Sequence, residues 1–185
     1  MFLKSTDKLN IGCGLDIRKG FLNLDLHPAS WRVKRFDITD EKDLSWLRCN
    51  KTSIIECHHV IGYLMYAQAT EFFKAAYESL NENGELILEF PDTLKISKKI
   101  VELHNPFLIN ISEINAYVEC IRGIYAFDPK DIYNKNFNEK TYIFGWSSDF
   151  TTATLKDVGF RDVIACDPIT HDKRTWRDTR IVAKK

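Results

Sequence analysis

Short apolar runs alternate with amphipathic stretches along the first half of the chain. Lys8 to Ile11 and Phe21 to Leu26 each predict a strand, the second with Leu22 and Leu24 alternating against Asn23 and Asp25. Arg32 to Ile38 predicts a third strand. Thr39 or Asp40 can cap the short helix after it, which carries Leu44 and Leu47. Ser53 to Cys57 predicts a fourth strand, apolar at Ile54 and Ile55. The clearest helix is Gln68 to Asn81, where Phe72, Phe73, Ala76, Tyr77 and Leu80 recur at helical spacing and Gly84 is suited to closing it. Glu85 to Phe90 predicts a fifth strand, halted by Pro91-Asp92.

After Thr93 the pattern changes. Ile96, Ile100 and Leu103 predict one helix, Ile114, Val118 and Ile121 another, and a polar, aromatic stretch follows from Phe127 to Asn138. No linker rich in Pro, Gly or Ser interrupts the chain, so residues 93–146 are expected to form a helical and aromatic cap inserted in one domain spanning 1–185. Asp149 or Thr151 begins a last helix through Leu155, ending at Gly159. Arg161 to Cys166 and Thr179 to Ala183 close the chain as two strands joined by the charged loop Asp167 to Asp178.

This order of elements predicts an α/β fold: a Rossmann-like, doubly wound, mostly parallel seven-stranded sheet with helices on both faces and an antiparallel C-terminal hairpin. One connection is tight. Residues 12–20 are fewer than the dozen or so of a parallel crossover, so the first helix must shrink to about one turn around Asp16 to Lys19.

Composition narrows the function classes. The 185 residues suit one domain with a sizeable core, and 44% apolar content excludes a disordered chain. The 26 basic and 26 acidic residues balance, so no overall field draws in nucleic acid or an anionic membrane. No apolar run approaches the roughly 18 residues of a membrane span, and Met1 to Lys4 leads into the first strand without room for a signal peptide. Cys13, Cys49, Cys57, Cys120 and Cys166 are odd in number and scattered, which fits reduced thiols in the cytoplasm and no metal site.

In open α/β sheets, ligands bind beyond the carboxyl ends of the strands. The residues expected there are Asn10, Gly12, Cys13 and Gly14 after the first strand, Asp25 and Leu26 after the second, Asp37 and Ile38 after the third, Cys57, His58 and His59 after the fourth, and Asp92 after the fifth. Glycines let backbone approach a ligand closely. Asp25 can accept from two vicinal ribose hydroxyls, and Asp37 from an adenine amino group with Ile38 against the ring. A dinucleotide is disfavoured: Ile17 stands where the fingerprint needs its third glycine, and Asp25 follows Gly12 by thirteen positions instead of about twenty. A nucleoside ligand without bridging phosphates fits, and S-adenosyl-L-methionine is one.

The chain resembles class I S-adenosylmethionine-dependent methyltransferases, in particular a group of small predicted methyltransferases, some linked to surface-polysaccharide synthesis. The residues that carry the likeness are Leu9 to Gly14, Gly20 to Asp25, Asp37-Ile38-Thr39, His58 to Ile61, Gly84 to Asp92, and Leu155 with Val158-Gly159-Phe160. They cover 8–92 and about 145–185, not the middle segment. The resemblance implies that Gly12, Cys13 and Gly14 flank the methionine part of the cofactor, that Asp25 binds ribose, that Asp37 and Ile38 border adenine, and that His58 and His59 lie beneath the cofactor at the end of the fourth strand. The group has a similarly short connection after its glycine turn. One departure stands out: the group continues His-Val-Leu-Glu-His-Leu, whereas this chain reads His59-Val60-Ile61-Gly62-Tyr63-Leu64.

Aligning nucleophile, methyl and sulfur is the main task of such a site, and His58, His59 and Asp92 are the candidate proton acceptors, with Tyr63 and Trp146 as substrate walls. The same residues also admit plainer roles: Asp37 and Asp92 as helix caps, the histidines as packed hydrogen-bonding groups, and Cys13 as filler in the turn. The expected activity is methyl transfer to a small molecule or glycan. The alternatives are a non-catalytic protein that keeps the fold for binding or assembly, and an NAD-dependent reductase.

Overall fold

The computed structural model describes residues 6–103, 111–126, 141–170 and 172–185; the stretch Phe127 to Asn138 lies outside them. The strands are β1 (Lys8–Ile11), β2 (Leu22–Asp25), β3 (Val33–Arg35), β4 (Thr52–His58), β5 (Leu80–Pro91), β6 (Arg161–Cys166) and β7 (Asp178–Lys184). They form one seven-stranded sheet in the order β3-β2-β1-β4-β5-β7-β6. β1 to β5 are parallel, and β7 runs antiparallel between β5 and β6. This is the mixed sheet with an antiparallel closing pair that the pattern predicts. The helices are α1 (Glu41–Cys49), α2 (Tyr66–Ser79), α3 (Thr93–Leu103), α4 (Ile111–Tyr125) and α5 (Ser148–Val158). Among the described residues, no helix is long and apolar enough to cross a membrane.

Strand alternation divides the sheet into two unlike faces. Leu9, Ile11, Leu24, Ile55, Cys57, Leu86, Leu88, Ile181 and Ala183 pack with Leu44 and Leu47 of α1, Phe72, Phe73 and Ala76 of α2, and Leu155 of α5 in one core. The other face carries a row of polar side chains, because Asn10 pairs in register with Asn23 and Glu56, His58 with Glu89, and Glu89 with Arg180.

Several element ends differ from expectation, each for a local reason. Of the two candidates, Asp40 caps α1, accepting from the Lys42 and Asp43 amides. Helix α2 starts two residues early, where the Gln68 side chain accepts from Met65 N. It also stops at Ser79, with Leu80 already extended and opposite Thr52. Gly84 therefore does not close that helix; it lies within β5 beside Asn83, which takes φ 64°. Ser147, not Asp149 or Thr151, caps α5 by accepting from Phe150 N.

The expected helical turn between β1 and β2 does not form; residues 12–21 contain no helix. Two buried asparagines replace its hydrogen bonds. Asn10 Nδ2 donates to Asp16 O (2.7 Å) and to Asn23 Oδ1 (3.0 Å). Asn23 Oδ1 also accepts from Arg18 N, and its Nδ2 donates to Arg18 O and Phe21 O. The loop's backbone groups are thus paired by side chains rising from the strands below.

The ends of segment 93–146 meet at the top of β5. Thr93 N and Oγ1 both donate to Trp146 O, at 2.8 and 2.9 Å, and Ser148 N donates to Asp92 Oδ2. Trp146 is buried, and its Nε1 donates to Ile61 O. Between these ends, α3 and α4 pack against one another.

Replacing Asn23 strands several of these loop groups at once. Asn23→Ala is expected to lower unfolding free energy by about 2–4 kcal/mol, measured by urea titration.

Candidate active site

The glycine bend and the acid at the end of β2 are joined directly. Gly14 N donates to Asp25 Oδ2 at 2.7 Å, and His27 N donates to Asp25 Oδ1 at 2.9 Å. A carboxylate offers about four lone-pair sites, so Asp25 keeps acceptor capacity beyond these two bonds. Gly12 N and Cys13 N both donate to Leu24 O. The amides of the bend are therefore spent inside the protein, and no helix follows to present a positive N-terminus to a pyrophosphate. A Cβ on Gly14 would meet nothing within 4 Å, whereas one on Gly12 would lie 2.1 Å from Val60 Cγ2. Open space thus borders the bend on the Gly14 side. Cys13 is 6% exposed, and its thiol is raised to about 11 by burial and by the Asp25 carboxylate. It is a neutral group facing the interior.

Asp37 follows β3, whose Arg35 is the register partner of Asp25. Its Oδ1 accepts from Thr39 N (2.9 Å) and Thr39 Oγ1 (2.7 Å), while its own N–H donates to Asp43 Oδ2. Partial burial acts to raise its titration, but the Thr39 bonds and the charges of Arg35 and His27 outweigh it and hold the carboxyl below its usual range. Ile38 packs on the core edge, and Leu26 is exposed just beyond Asp25. Cys57 is 1% exposed within the core, so its side chain is closed to a ligand. Asn10 acts through the loop it supports.

At the end of β4 the two histidines part. His59 takes φ 57°, an unusual conformation for a non-glycine residue, and its N–H donates to Glu89 O. His58 Nδ1 lies 3.1 Å from Arg18 Nη2 and 2.9 Å from Thr170 Oγ1. A guanidinium only donates, so Nδ1 accepts and the neutral ring carries its proton on Nε2. Nε2 sits 3.4 Å from Glu56 Oε2, too poorly aligned for a hydrogen bond. Burial and the Arg18 charge bring His58 down to about 4. Arg18 links the group: it bonds Asp16 through Nε and Nη2 and ion-pairs with Glu56 through Nη1. Beside this cluster lies a recess of about 400 Å³, bounded by Arg18, Glu56, His58, Thr170 and Arg180.

Asp92 is a structural residue. It is 1% exposed; Oδ1 accepts from Leu94 N and Lys95 N at the start of α3, and Oδ2 from Ser148 N. Of its two expected roles, proton acceptor and helix cap, the three bonds describe the cap. The departure at Gly62-Tyr63 also has a packing cause. A Cβ on Gly62 would lie 2.6 Å from Tyr142 Cδ1, Ile143 N and Phe144 N donate to Gly62 O, and the Tyr63 and Tyr142 rings stand 4.6 Å apart. Tyr142, on the irregular stretch that returns from the middle segment, fills the space that a larger side chain at position 62 would take. Trp146, expected as a substrate wall, is 1% exposed and belongs to the core.

Sequence reasoning passed over Arg18, Glu56, Glu89, Thr170 and Arg180. A signal existed for two of them: Glu56 and Glu89 interrupt otherwise apolar strands, Ile54-Ile55-Glu56-Cys57 and Leu86-Ile87-Leu88-Glu89-Phe90. A buried carboxylate needs partners. Glu89 accepts from Ile169 N, Thr170 N and Arg180 Nη1.

No family model and no curated protein matches the sequence. Solved structures do. A SAM-dependent methyltransferase from Archaeoglobus fulgidus aligns over 96% of this chain and 85% of its own, with 14% identity and a TM-score of 0.58. An S-adenosylmethionine-dependent methyltransferase from Mesorhizobium loti aligns over 96% and 90%, with 11% identity and a TM-score of 0.56. Human N-acetylserotonin methyltransferase, in complex with SAM, aligns over 96% and 47%, with 10% identity and a TM-score of 0.51. The chain has the class I SAM-dependent methyltransferase fold, and at these identities the likeness is one of fold.

Two outcomes follow for the site. Gly14→Ala is expected to cost about 1–2 kcal/mol for its left-handed backbone alone, and Gly12→Ala roughly 1–3 kcal/mol more for overpacking Val60; urea titration of both variants reads the difference. The second outcome concerns pH. His58 is held neutral by burial and Arg18, below its ordinary 6.5. Glu89 is lowered too: burial opposes this, but the Ile169 and Thr170 amides and His58 outweigh it. For both groups the unfolded chain binds protons more readily, so stability falls as pH drops. The urea midpoint is expected to decline from about pH 6.5 towards 4, and His58→Gln to flatten that decline.

Proposed function

We propose that the protein binds S-adenosyl-L-methionine and transfers its methyl group to a small-molecule or glycan acceptor. The observation that carries this reading is the Gly14 N to Asp25 Oδ2 bond, which sets the bend and the acid side by side at one edge of the sheet. Asp25 would accept from ribose hydroxyls with its remaining lone pairs, Asp37 and Ile38 would border adenine, and Gly12 to Gly14 would lie along the amino-acid part. When bound, the cofactor supplies an electrophilic methyl on a sulfonium sulfur.

The chain's own residues have the work of alignment and proton handling. His58, fixed by Arg18 and Thr170, is a positioning residue for the end of β4. His59, turned into the left-handed region next to it, is our candidate proton acceptor. Strain of this kind collects at functional sites. Residues 93–146 would cap the acceptor side. The packing of Tyr142 on Gly62 favours a second reading, in which the fold is kept for binding without turnover. A nicotinamide ligand is disfavoured by the missing helix after the bend.

Calorimetry with adenosylhomocysteine and NADH separates these readings. Tight adenosylhomocysteine binding is expected, weakened about tenfold or more by Asp25→Ala with an unchanged circular dichroism spectrum. Preference for NADH, or full affinity in Asp25→Ala, would overturn the assignment. Radiolabelled methyl transfer into small-molecule and glycan fractions then tests turnover, and tight binding with no labelled product would select the non-catalytic reading.

A further inference from the structure

The recess on the polar face of the sheet contains a guanidinium with unused donors. Arg18 is heavily engaged: Asp16 takes Nε and Nη2, Glu56 takes Nη1, and His58 also meets Nη2. Arg180 is not. Its side chain is 12% exposed, and its one bond to a described residue runs from Nη1 to Glu89 Oε2 at 3.3 Å. Glu89 divides its charge among Arg180 and two backbone amides. Arg180 Nε and Nη2 have no acceptor among the described residues, yet the side chain lines a recess of about 400 Å³. Neither nitrogen is a buried atom lacking a partner, so both are open to the recess, and the guanidinium fork matches a carboxylate in shape and charge.

The neighbours suit such a ligand. Thr170 Oγ1 stands at the same wall, and the negative charges of Asp16 and Glu56 are engaged by Arg18. The loop that leaves the glycine bend contributes to the wall, since Asp16 and Arg18, two and four residues beyond Gly14, line the recess. We propose that Arg180 binds the carboxylate of a small molecule in this recess. The proposal deepens the methyltransferase reading and rests on it for the identity of the ligand. The carboxylate belongs either to the amino-acid tail of the cofactor or to the acceptor.

The test is calorimetric titration of the full chain and of Arg180→Gln with two matched pairs of probes. Adenosylhomocysteine is paired with methylthioadenosine, which lacks the amino-acid tail, and glucuronate with glucose, which lacks the carboxylate. Arg180→Gln is expected to weaken one carboxylate probe about tenfold or more while sparing its partner probe. Loss confined to adenosylhomocysteine assigns the carboxylate to the cofactor, and loss confined to glucuronate assigns it to the acceptor.

Unchanged affinities, equal loss within a pair, or a wild-type chain that binds neither carboxylate would overturn the proposal. The glucuronate arm needs no cofactor, so failure of every adenosyl ligand would remove the methyltransferase reading without deciding this one. Thermal melts report folding of each variant. If Arg180→Gln does not fold, Arg180→Lys, which keeps the charge but loses the fork, must show a weakened carboxylate probe, and Thr170→Val a smaller effect in the same direction.

Discussion

The hydrogen bond between two buried side-chain amides, Asn10 and Asn23, is the constraint from which the site is built. Parallel neighbours in a sheet are normally joined through a helix, which satisfies its own backbone. Here the connection is too short for one, and the asparagines take over its donors and acceptors. Because no helix leaves the bend, the amides of Gly12, Cys13 and Gly14 turn back to Leu24 O and Asp25. The resulting pocket edge offers acceptors and close backbone approach. It does not offer the ring of free N–H groups that would attract phosphate. One local substitution of side-chain for main-chain bonding thus decides which polar groups the edge presents.

The same economy of helices exposes charge on one side of the sheet. Glu56, His58, Glu89 and Arg180 stand on adjacent strands where a hydrophobic layer is usual; the first three are tied to loop residues by ionic or hydrogen-bonded contacts, and Arg180 is tied to Glu89. Buried ionic groups of this sort contribute little net stability against an apolar alternative. Their arrangement instead draws the β1–β2 and β6–β7 loops together over β4, since Arg18 and Thr170 converge on the same imidazole nitrogen.

The sheet order was legible because its signals are periodic: alternating Leu22, Asn23, Leu24 and Asp25, the Phe72-Phe73-Ala76 stripe, and the loop-linked closing strands. Asp25 and the glycines stood out because they end neighbouring strands, and the bond from Gly14 N to Asp25 Oδ2 joins them. For Asp92, a capping carboxylate and a catalytic one look alike in sequence, and only the placement of the Leu94, Lys95 and Ser148 amides around it shows the cap. Gly62 was readable as a departure but not as a packing residue, because Tyr142 reaches it across eighty positions of chain. Arg180 gave no periodic signal at all; only the register of β7 against Glu89 brings it to the recess.

The pinning of Thr93 to Trp146, and of Asp92 to Ser148, closes the middle segment on itself like the neck of a bag. The entropy of closing a loop grows only slowly with its length, and here both ends are fixed within hydrogen-bonding distance. The segment is also anchored beyond that neck, since Lys95 Nζ donates to Asp178 O at the start of β7, Ile143 N and Phe144 N donate to Gly62 O, and Ile96 is buried. Domain grafting on this scaffold therefore has its cut sites inside those anchors, where a replacement can vary in length while the seven-stranded sheet stays constant.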